Sequence, residues 1–491
     1  MKVSEDRTFA LLLREDFYTF LRKVFATLNR DVEWEENWHL HVLAYELERV
    51  ARGENTRLIV NMPPRSLKSI AASVALVAWY LGHNPSAEVI CASYGQDLSS
   101  KFAYDCRTVM QSAWYQAIFP TRIAPGKSGV ADFRTTAGGG RLTTSVGGPM
   151  TGRGADLIVI DDPAKPDEML SETQRDAVNR WMHSTVYSRL NSKSRGAIVV
   201  AMQRLHLLDL TGYLRQDPSW HLLKLSAIAE ADERYAIRTI GGEERVYERK
   251  EGQALHPARE SLDLLQAIRQ SLGSYLNAAQ YQQNPMAPDG NIVKLPWFGR
   301  YETPPAKFDQ ILQSWDTASK VGELNSYSVC TTWGKADKKV YLLHVFRKRM
   351  EYPELKRAVK EQAELWKPNV ILVEEKSSGA ALLQELKRED IYNLKEVKPT
   401  TSKAMRMSNQ TAFIENGFVY LPKEEPWLQA YENELMLFPI GQFDDQADST
   451  SQALAYIQEQ MQEPAGLAFY RIWGEQCGFP PPDVSRFFPD V

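Results

Sequence analysis

The feature that most constrains the fold is a short segment in which an apolar strand, a tight loop and a helix follow one another. Residues 58–60 form the apolar run, a Pro-Pro turn follows, and Lys68 and Ser69 open a stretch rich in alanine, valine and leucine. A helix that begins directly after such a loop presents backbone N–H groups and the positive end of its dipole to an anion. In this context we expect the Lys68 ammonium to reach the β- and γ-phosphates of ATP and the Ser69 hydroxyl to hold Mg²⁺.

The loop departs from the usual phosphate-binding pattern at two positions. That pattern has glycine six residues and one residue before the lysine, where this chain has Met62 and Leu67. The competing interpretation is an ordinary buried strand and helix joined by a turn. If the loop binds nucleotide, the predicted contacts are Pro64, Arg65, Ser66, Leu67, Lys68 and Ser69.

Composition limits the class of protein. A chain of 491 residues is long enough for more than one domain, and a net charge of −4 supplies no overall attraction to nucleic acid. Any DNA contact therefore requires local basic patches. The four cysteines form no Cys-x-x-Cys pair, which argues against a disulfide framework and a zinc site. Neither a signal peptide nor a membrane-spanning run is recognisable, so we expect a cytosolic protein.

A second pattern is an apolar strand that ends in two carboxylates. Residues 157–160 are apolar and run directly into Asp161 and Asp162. In open α/β sheets, ligands bind outside the carboxyl ends of the strands. We predict that Asp161 completes the Mg²⁺ shell and that Asp162 orients or deprotonates the attacking water. An acidic turn after a strand is common by itself, so this interpretation depends on the Lys-Ser loop in the same domain.

Two further segments fit ATP hydrolysis. Arg153 lies between two glycines, where its guanidinium is able to stabilise charge on the transferring phosphate, in cis or from a neighbouring subunit. A solvated loop arginine is the alternative. The apolar residues 198–202 lead into Gln203 and Arg204, a polar strand tip that suits a sensor of the nucleotide state.

The second half of the chain carries acids at the ends of three predicted elements. Asp316 ends its first strand, Glu374 ends a later strand, and residues 444–448 open a late helix. Three meandering strands, a helix, a strand and a late helix match the order of an RNase H-like nuclease core. Carboxylates that converge there are able to bind two divalent ions, which activate water and stabilise a leaving 3′ oxygen. Mg²⁺ suits such oxygen ligands, and Mn²⁺ is an alternative in this site.

The late cluster offers three candidates for the third carboxylate. Asp445 and Asp448 lie three residues apart and share a side once the helix begins. Asp444 precedes the helix, where capping is its simplest role. We therefore predict Asp445 as the main ligand, Asp448 in support and Asp444 as secondary. Glu375 would point to the other face if its strand continued.

These elements predict an α/β protein with an N-terminal P-loop ATPase domain, built on a mainly parallel sheet, and a C-terminal RNase H-like nuclease domain. A proline-rich segment marks the boundary between them. The predicted divisions are an ATPase domain over 1–290 with N-terminal helices and a subdomain at 215–290, a linker at 291–308, a nuclease domain over 309–465 and a tail at 466–491.

At these motifs the sequence resembles the large terminase subunit of tailed bacteriophages, the motor that packages DNA into procapsids. The resemblance rests on residues 63–69, 151–163, 201–204, 280–285, 373–376 and 444–448. It implies a packaging ATPase, an endonuclease that cuts concatemeric double-stranded DNA, and partnership with a small terminase subunit. It also implies docking on the portal protein of the procapsid as a homo-oligomeric ring, commonly a pentamer, and hence a place in the host cytoplasm and transiently on the portal. The family often has glycine at the position of Leu67 and, in many members, glutamate at that of Asp162.

Two other functions remain open at this point. A DNA-repair helicase–nuclease would normally need a second motor domain with its own arginine-bearing motifs, and residues 215–308 offer none. A non-catalytic assembly protein with a vestigial nucleotide site would have no need for Lys68, Ser69, Asp161 and the three nuclease acid positions. ATPase activity and its response to DNA distinguish these alternatives.

Overall fold

The chain divides into two units, Met1–Ala287 and Pro288–Val491, in a computed structural model. The structure describes residues 2–125, 129, 132–148, 150, 152–285, 292–317, 327–374, 378–388, 393–441 and 443–461. The predicted tail at 466–491 and Glu375 lie outside the described residues.

Three helices precede the first strand, as predicted for the amino terminus. They are α1 (Lys2–Glu15), α2 (Phe17–Leu28) and α3 (Trp38–Ala51). Helix α2 begins where the Asp16 carboxylate accepts a 2.8 Å hydrogen bond from the Thr19 amide, which satisfies one of the free N–H groups of the first turn. Its aromatic and aliphatic residues recur at helical spacing and lie in the core.

A seven-stranded sheet forms the centre of the first unit. Its strands are β1 (Arg57–Asn61), β2 (Glu88–Ser93), β3 (Asp132–Arg134), β4 (Gly140–Ser145), β5 (Leu157–Asp161), β6 (Ala197–Met202) and β7 (His221–Lys224). They lie in the order β3-β4-β2-β5-β6-β1-β7, and every pairing is parallel except that of β3 with β4. The predicted, mainly parallel sheet is therefore confirmed.

Both faces of this sheet are covered, which explains why its central strands are apolar without alternation. Along β1, Leu58 and Val60 pack in one cluster with Phe17, whereas Ile59 packs on the other face with Trp181. The helices after β1 are α4 (Val77–His83), α5 (Gln96–Gln111), α6 (Ala113–Ile118), α7 (Glu172–Trp181), α8 (Leu210–Leu214) and α9 (Leu262–Gln280). A separate two-stranded sheet pairs β8 (Glu233–Arg238) with β9 (Glu244–Arg249).

The second unit contains a mixed seven-stranded sheet. Its strands are β10 (Gly299–Tyr301), β11 (Gln310–Asp316), β12 (Ser328–Ala336), β13 (Lys339–Lys348), β14 (Val370–Glu374), β15 (Leu394–Val397) and β16 (Val419–Pro422). The order is β10-β16-β13-β12-β11-β14-β15, with β11, β12 and β13 antiparallel and the other pairings parallel. Its helices are α10 (Tyr352–Trp366), α11 (Ser378–Arg388), α12 (Lys403–Glu415), α13 (Leu428–Leu437) and α14 (Asp445–Met461). This order of elements is the predicted RNase H-like one.

The structure places part of the predicted linker in this second sheet. Strand β10 lies within residues 291–308 and pairs with β16 at the edge of the sheet. The prolines of the segment lie outside the three paired residues, and proline near an edge strand removes no hydrogen bond that the sheet needs. Among the described residues, no helix is both long and apolar enough to cross a membrane.

Candidate nucleotide and metal sites

The loop after β1 adopts a backbone conformation that normally favours glycine. Leu67, at the position where the usual pattern has glycine, has φ 62°, and Arg65 has φ 58°. A side chain in this left-handed region costs roughly 1–2 kcal/mol relative to an ordinary conformation. Leu67 therefore adopts, at some cost in free energy, the left-handed conformation at the position where the usual pattern has glycine. The Ser66 hydroxyl donates to the carbonyl of Pro63 at 2.9 Å.

Lys68 lies at the base of this loop and faces the acidic strand. Only 5% of the residue is exposed, and its ammonium lies 3.3 Å from Oδ2 of Asp162. The helix that follows starts with a π-helical segment, Ile70–Leu76, before α4. Segments of this kind often mark functional sites, because they widen the helix and change which side chains share a face.

Asp161 ends β5, and hydroxyl groups of the loop helix contact both of its oxygens. Ser69 donates to Oδ1 at 3.0 Å, and Ser73 donates to Oδ2 at 2.7 Å. Burial and the neighbouring charge of Asp162 raise the pKa of Asp161 to about 7, against the opposing effects of Lys68 and the two hydroxyls. The structure thus brings together Ser69 and Asp161, the two predicted Mg²⁺ ligands. The sequence analysis missed Ser73, although its position four residues after Ser69 was a usable signal.

Asp162 turns the chain away from the strand. Its φ is 44°, and its Oδ1 accepts a 3.3 Å hydrogen bond from the amide of Gln203, at the tip of the neighbouring strand β6. Its carboxylate therefore lies between Lys68 and the predicted sensor. Arg204, the other residue of the predicted sensor, is buried, and its Nε lies 3.0 Å from both oxygens of Asp209, so its guanidinium holds the loop before α8.

The structure does not bring Arg153 to the phosphate loop of its own chain. Arg153 precedes β5 and pairs with Asp132 at 2.8 Å, with 38% of its side chain exposed. The phosphate loop and Asp161 lie at the opposite, carboxyl ends of the strands. A five-residue strand spans roughly 16 Å, so the predicted contact in cis does not form. A role in trans stays a prediction.

Three carboxylates converge in the second unit. Asp316, Glu374 and Asp448 each place one oxygen within 4.8 Å of the others. Asp316 and Glu374 meet because β11 and β14 are parallel neighbours, and both residues end their strands. Helix α14 packs on β11 through Ser449, whose hydroxyl donates to the carbonyl of Ser314 at 2.7 Å, and this contact brings the adjacent Asp448 to the cluster.

The prediction that Asp445 would be the main third carboxylate is corrected by this packing. Asp448, 2% exposed, occupies that position. Asp445 lies instead beside Glu434 and Asp444, and burial together with these charges raises its pKa to about 6. Asp445 and Asp448 share a side of α14 but lie about one turn apart along its axis, and the contact of Ser449 with the sheet sets the turn of Asp448 against the strand ends.

Asp444 is not the side-chain cap that its position suggested. Its carbonyl accepts the first helical hydrogen bond, from the amide of Asp448, at 2.9 Å. Its carboxylate accepts a 2.9 Å hydrogen bond from the ammonium of Lys403. The cap of α14 comes from Glu434, whose Oε1 accepts from the Gln446 amide at 2.6 Å.

Two basic side chains of α12 reach the carboxylate cluster. Lys403 Nζ lies 2.9 Å from Oδ2 of Asp448 and 3.8 Å from Oδ2 of Asp316. Arg406, three residues further along α12, contacts Oδ1 of Asp448 and lies 3.6 Å from Oε2 of Glu374. The spacing of the acids does not predict these contacts, because Lys403 and Arg406 lie on a helix that is remote in sequence from all three acids.

The donor set fits a hard divalent cation. All three side chains are largely buried and offer carboxylate oxygens, the ligands that Mg²⁺ and Mn²⁺ prefer. Among the described residues, Oδ2 of Asp316 accepts no hydrogen bond. Burial and the charge of Asp448 raise the pKa of Asp316 well above its ordinary value, while Lys403 opposes that shift. An excess of negative charge at this point is what a bound cation would relieve.

Comparisons with known proteins agree with this fold. Residues 313–456 match the family model of the terminase RNaseH-like domain. Among solved structures, the chain is similar to the large terminase of the thermophilic bacteriophage D6E, with 10% identity, coverage of 84% of this chain and 98% of that chain, and a TM-score of 0.50. A comparison with curated protein sequences gave no match.

Two other similar structures are a bacteriophage large terminase and an isolated nuclease. The large terminase of bacteriophage HK97 is 12% identical over 89% of this chain and 88% of that chain, with a TM-score of 0.35. The large terminase nuclease of the thermophilic phage G20c, solved with bound cobalt, is 14% identical over 34% of this chain and 96% of that chain, with a TM-score of 0.27.

The similarity to the D6E structure extends over nearly all of that chain, so both units share its fold. The predicted fold class is confirmed as an α/β chain with a mainly parallel sheet in the first unit and an RNase H-like second unit. The predicted resemblance to the large terminase subunits of bacteriophages is confirmed by the match of residues 313–456 to the terminase RNaseH-like family model and by the similarity of fold to the D6E structure.

Proposed function

We propose that this protein is a viral DNA-packaging motor subunit. It hydrolyses ATP to translocate double-stranded DNA into a procapsid, and its second unit cuts concatemeric DNA as a metal-dependent endonuclease. The observation that carries the proposal is the presence of two chemically distinct centres in two units. One is a buried lysine with a serine–aspartate pair after a phosphate loop, and the other is a triad of converging carboxylates.

In the first unit, each residue has a role that follows from its position. Lys68 supplies a nearly dehydrated positive charge, which stabilises the negative charge that develops on the transferring phosphate. Ser69 and Asp161 would hold the Mg²⁺ of a nucleotide, and that ion neutralises phosphate charge when bound. Asp162 lies beside Lys68 and is placed to orient the attacking water. Its hydrogen bond from Gln203 connects the site to the tip of β6.

In the second unit, Asp316, Glu374 and Asp448 would hold the divalent ions. Such ions lower the pKa of a bound water and stabilise a leaving oxygen. The protein contributes the fixed separation of the three carboxylates and their burial, since both strand ends and α14 are held by the sheet. Mg²⁺ is the proposed physiological ion, with Mn²⁺ as a substitute.

The proposed partners are double-stranded viral DNA, a small terminase subunit and the portal protein of a procapsid. The place of action is the host cytoplasm and, transiently, the portal. A homo-oligomeric ring, commonly of five subunits in this family, would give Arg153 a phosphate loop to contact in the neighbouring subunit. Support for this comes from the partial exposure of Arg153 and from its position before β5, at the end of the strand opposite its own phosphate loop.

A paired assay on the purified chain tests the proposal. We expect Lys68→Ala to lower ATP turnover by at least 100-fold, which corresponds to about 2.7 kcal/mol, and to leave Mn²⁺-dependent plasmid cutting unchanged. Asp316→Asn should abolish the plasmid cutting and leave ATP turnover unchanged. Wild-type turnover in Lys68→Ala would contradict the nucleotide site. ATP-dependent strand separation of a forked duplex would favour the helicase–nuclease alternative.

A further inference from the structure

Asp448 contacts a positive charge at each of its two oxygens. Arg406 contacts Oδ1, and Lys403 lies 2.9 Å from Oδ2. A Mg²⁺ or Mn²⁺ ligand oxygen lies about 2.1 Å from its ion, so an ion and the ammonium that share Oδ2 would be no more than about 5 Å apart. Like charges at that distance repel strongly when partly buried. The ion and the Lys403 ammonium therefore compete for this oxygen.

Lys403 also contacts a fourth carboxylate, which is not part of the triad. Its Nζ lies 2.9 Å from Oδ1 of Asp444, whose side chain is 42% exposed and lies outside the three-carboxylate cluster. Lys403 thus bridges a metal-ligand candidate, Asp448, and a neighbouring acid. A small rotation of its flexible stem is enough to move the ammonium fully onto the neighbour.

We propose that divalent cations load the nuclease centre by exchange with the Lys403 ammonium, which withdraws from Asp448 onto Asp444. This inference rests on the proposed nuclease function. In the metal-free protein Lys403 and Arg406 offset the repulsion of three buried carboxylates, and so keep them close enough to receive an ion. Arg406 stays in place, because only 15% of its side chain is exposed, against 33% for Lys403, and both of its acidic contacts belong to the triad, whereas Lys403 also contacts Asp444.

The exchange makes Lys403 a positioning residue with a measurable signature. Its removal should weaken the metal-free centre and strengthen metal binding, two effects of opposite sign. The test compares wild-type full-length protein with Lys403→Met, using calorimetric titration with Mn²⁺ and thermal unfolding in EDTA and in Mn²⁺. We expect Lys403→Met to bind Mn²⁺ at least tenfold more tightly, to unfold at a lower temperature in EDTA and to gain more from Mn²⁺ than the wild type.

Lys423→Met is the matched control. Lys423 also forms an ion pair in the second unit, with Glu302, and 54% of its side chain is exposed. Its substitution should leave the Mn²⁺ affinity at the wild-type value. A purely structural role for Lys403 would lower both unfolding temperatures equally and leave the affinity unchanged, and that result would overturn the exchange.

A second variant keeps the proposal testable if Lys403→Met does not fold. Asp444→Asn removes the place to which Lys403 withdraws, so Mn²⁺ should bind several-fold more weakly, and an unchanged affinity would overturn the exchange. In the Lys403→Met background the same substitution should change the affinity by less than about twofold, because no ammonium remains to be moved. Equal weakening in both backgrounds would identify Asp444 as a metal ligand and overturn the exchange.

The titration of the wild type separates this inference from the function on which it rests. If the wild type binds no Mn²⁺, the metal centre itself is wrong, and the exchange is overturned with it. If the wild type binds Mn²⁺ and Lys403→Met binds it no more tightly, only the exchange is overturned.

Discussion

The hydroxyl of Ser73 donates a 2.7 Å hydrogen bond to Oδ2 of Asp161, the oxygen that Ser69 does not contact. The two serines lie about one helical turn apart, at the start of the helix that follows the phosphate loop. Since burial raises the pKa of Asp161 to about 7, each hydrogen bond to its carboxylate favours the charged form that a Mg²⁺ ion requires. Ser73 thereby supports the candidate nucleotide site, although it lies outside the loop itself.

Ser73→Ala should impair ATP hydrolysis through the metal. Loss of this hydroxyl leaves a buried carboxylate oxygen without its partner, which costs roughly 1–3 kcal/mol. We expect the Mg²⁺ concentration for half-maximal ATP turnover to rise about tenfold, measured by a Mg²⁺ titration at saturating ATP. Ser99→Ala is the matched control, because Ser99 is buried in the same unit and donates to the Thr144 carbonyl at 2.9 Å. An equal change in both variants would argue against a specific role for Ser73.

The conformation of Leu67 predicts different effects for two substitutions. Glycine adopts φ 62° without a steric penalty, so Leu67→Gly should retain ATP binding. A β-branched side chain is the least tolerated in this region, so Leu67→Val should lower the free energy of unfolding by about 1 kcal/mol and weaken ATP binding. Urea unfolding and fluorescent-nucleotide titration measure the two quantities. Equal behaviour of the two variants would mean that the strain is relieved by movement of the loop.

Substitutions of Asp448 and of Asp445 should have clearly different effects on the rate of plasmid cutting. Asp448→Asn should slow plasmid cutting by more than about 100-fold, because it removes one of the three converging carboxylates. Asp445→Asn should change the rate by less than about fivefold, since this residue lies outside the cluster. ATP turnover in each variant controls for folding. The reverse ranking would restore Asp445 as the third ligand.

His39 should make the first unit sensitive to acid. Burial, followed by nearby positive charges, lowers the pKa of His39 to about 3, whereas in the unfolded chain it titrates near 6.5. As pH falls from 6.5 towards 3, the unfolded state takes up a proton that the folded state does not, so stability is lost across that window. Between pH 7 and pH 5 we expect this residue to account for about 2 kcal/mol of lost stability.

His39→Gln should remove that part of the pH dependence. The measurement is urea unfolding of the first unit at both pH values, identified as the transition that an ATP analogue shifts. An unchanged pH dependence in His39→Gln would contradict the assignment.

The edge strand β10 predicts where an isolated nuclease domain should begin. A fragment over 292–465 keeps the pairing of β10 with β16 and the 2.5 Å ion pair of Arg300 with Glu432, whereas a fragment over 309–465 loses both. We expect the shorter fragment to unfold at a temperature lower by about 3 °C or more in scanning calorimetry. Identical unfolding temperatures would mean that β10 adds nothing to the stability of the domain.

Local patterns in the sequence determined the layout of both units. Apolar runs that end in polar residues located β1, β5, β11 and β14, because a buried strand must be apolar and its functional residues emerge where it ends. Parallel strands of one sheet carry their carboxyl ends on the same side, so the sequence predicted two pairs: Ser69, in the helix after β1, with Asp161, and Asp316 with Glu374.

Only the tertiary structure decided which residues complete each centre. The position of α14 along the sheet selected Asp448 over Asp445, and the packing of α12 brought in Lys403 and Arg406. The course of the chain before β5 placed Arg153 away from its own phosphate loop. The physical reason is common to all of these cases. Sequence spacing specifies neighbours within one helix or strand, whereas contacts between elements depend on rotations and translations that are set by packing of the whole unit.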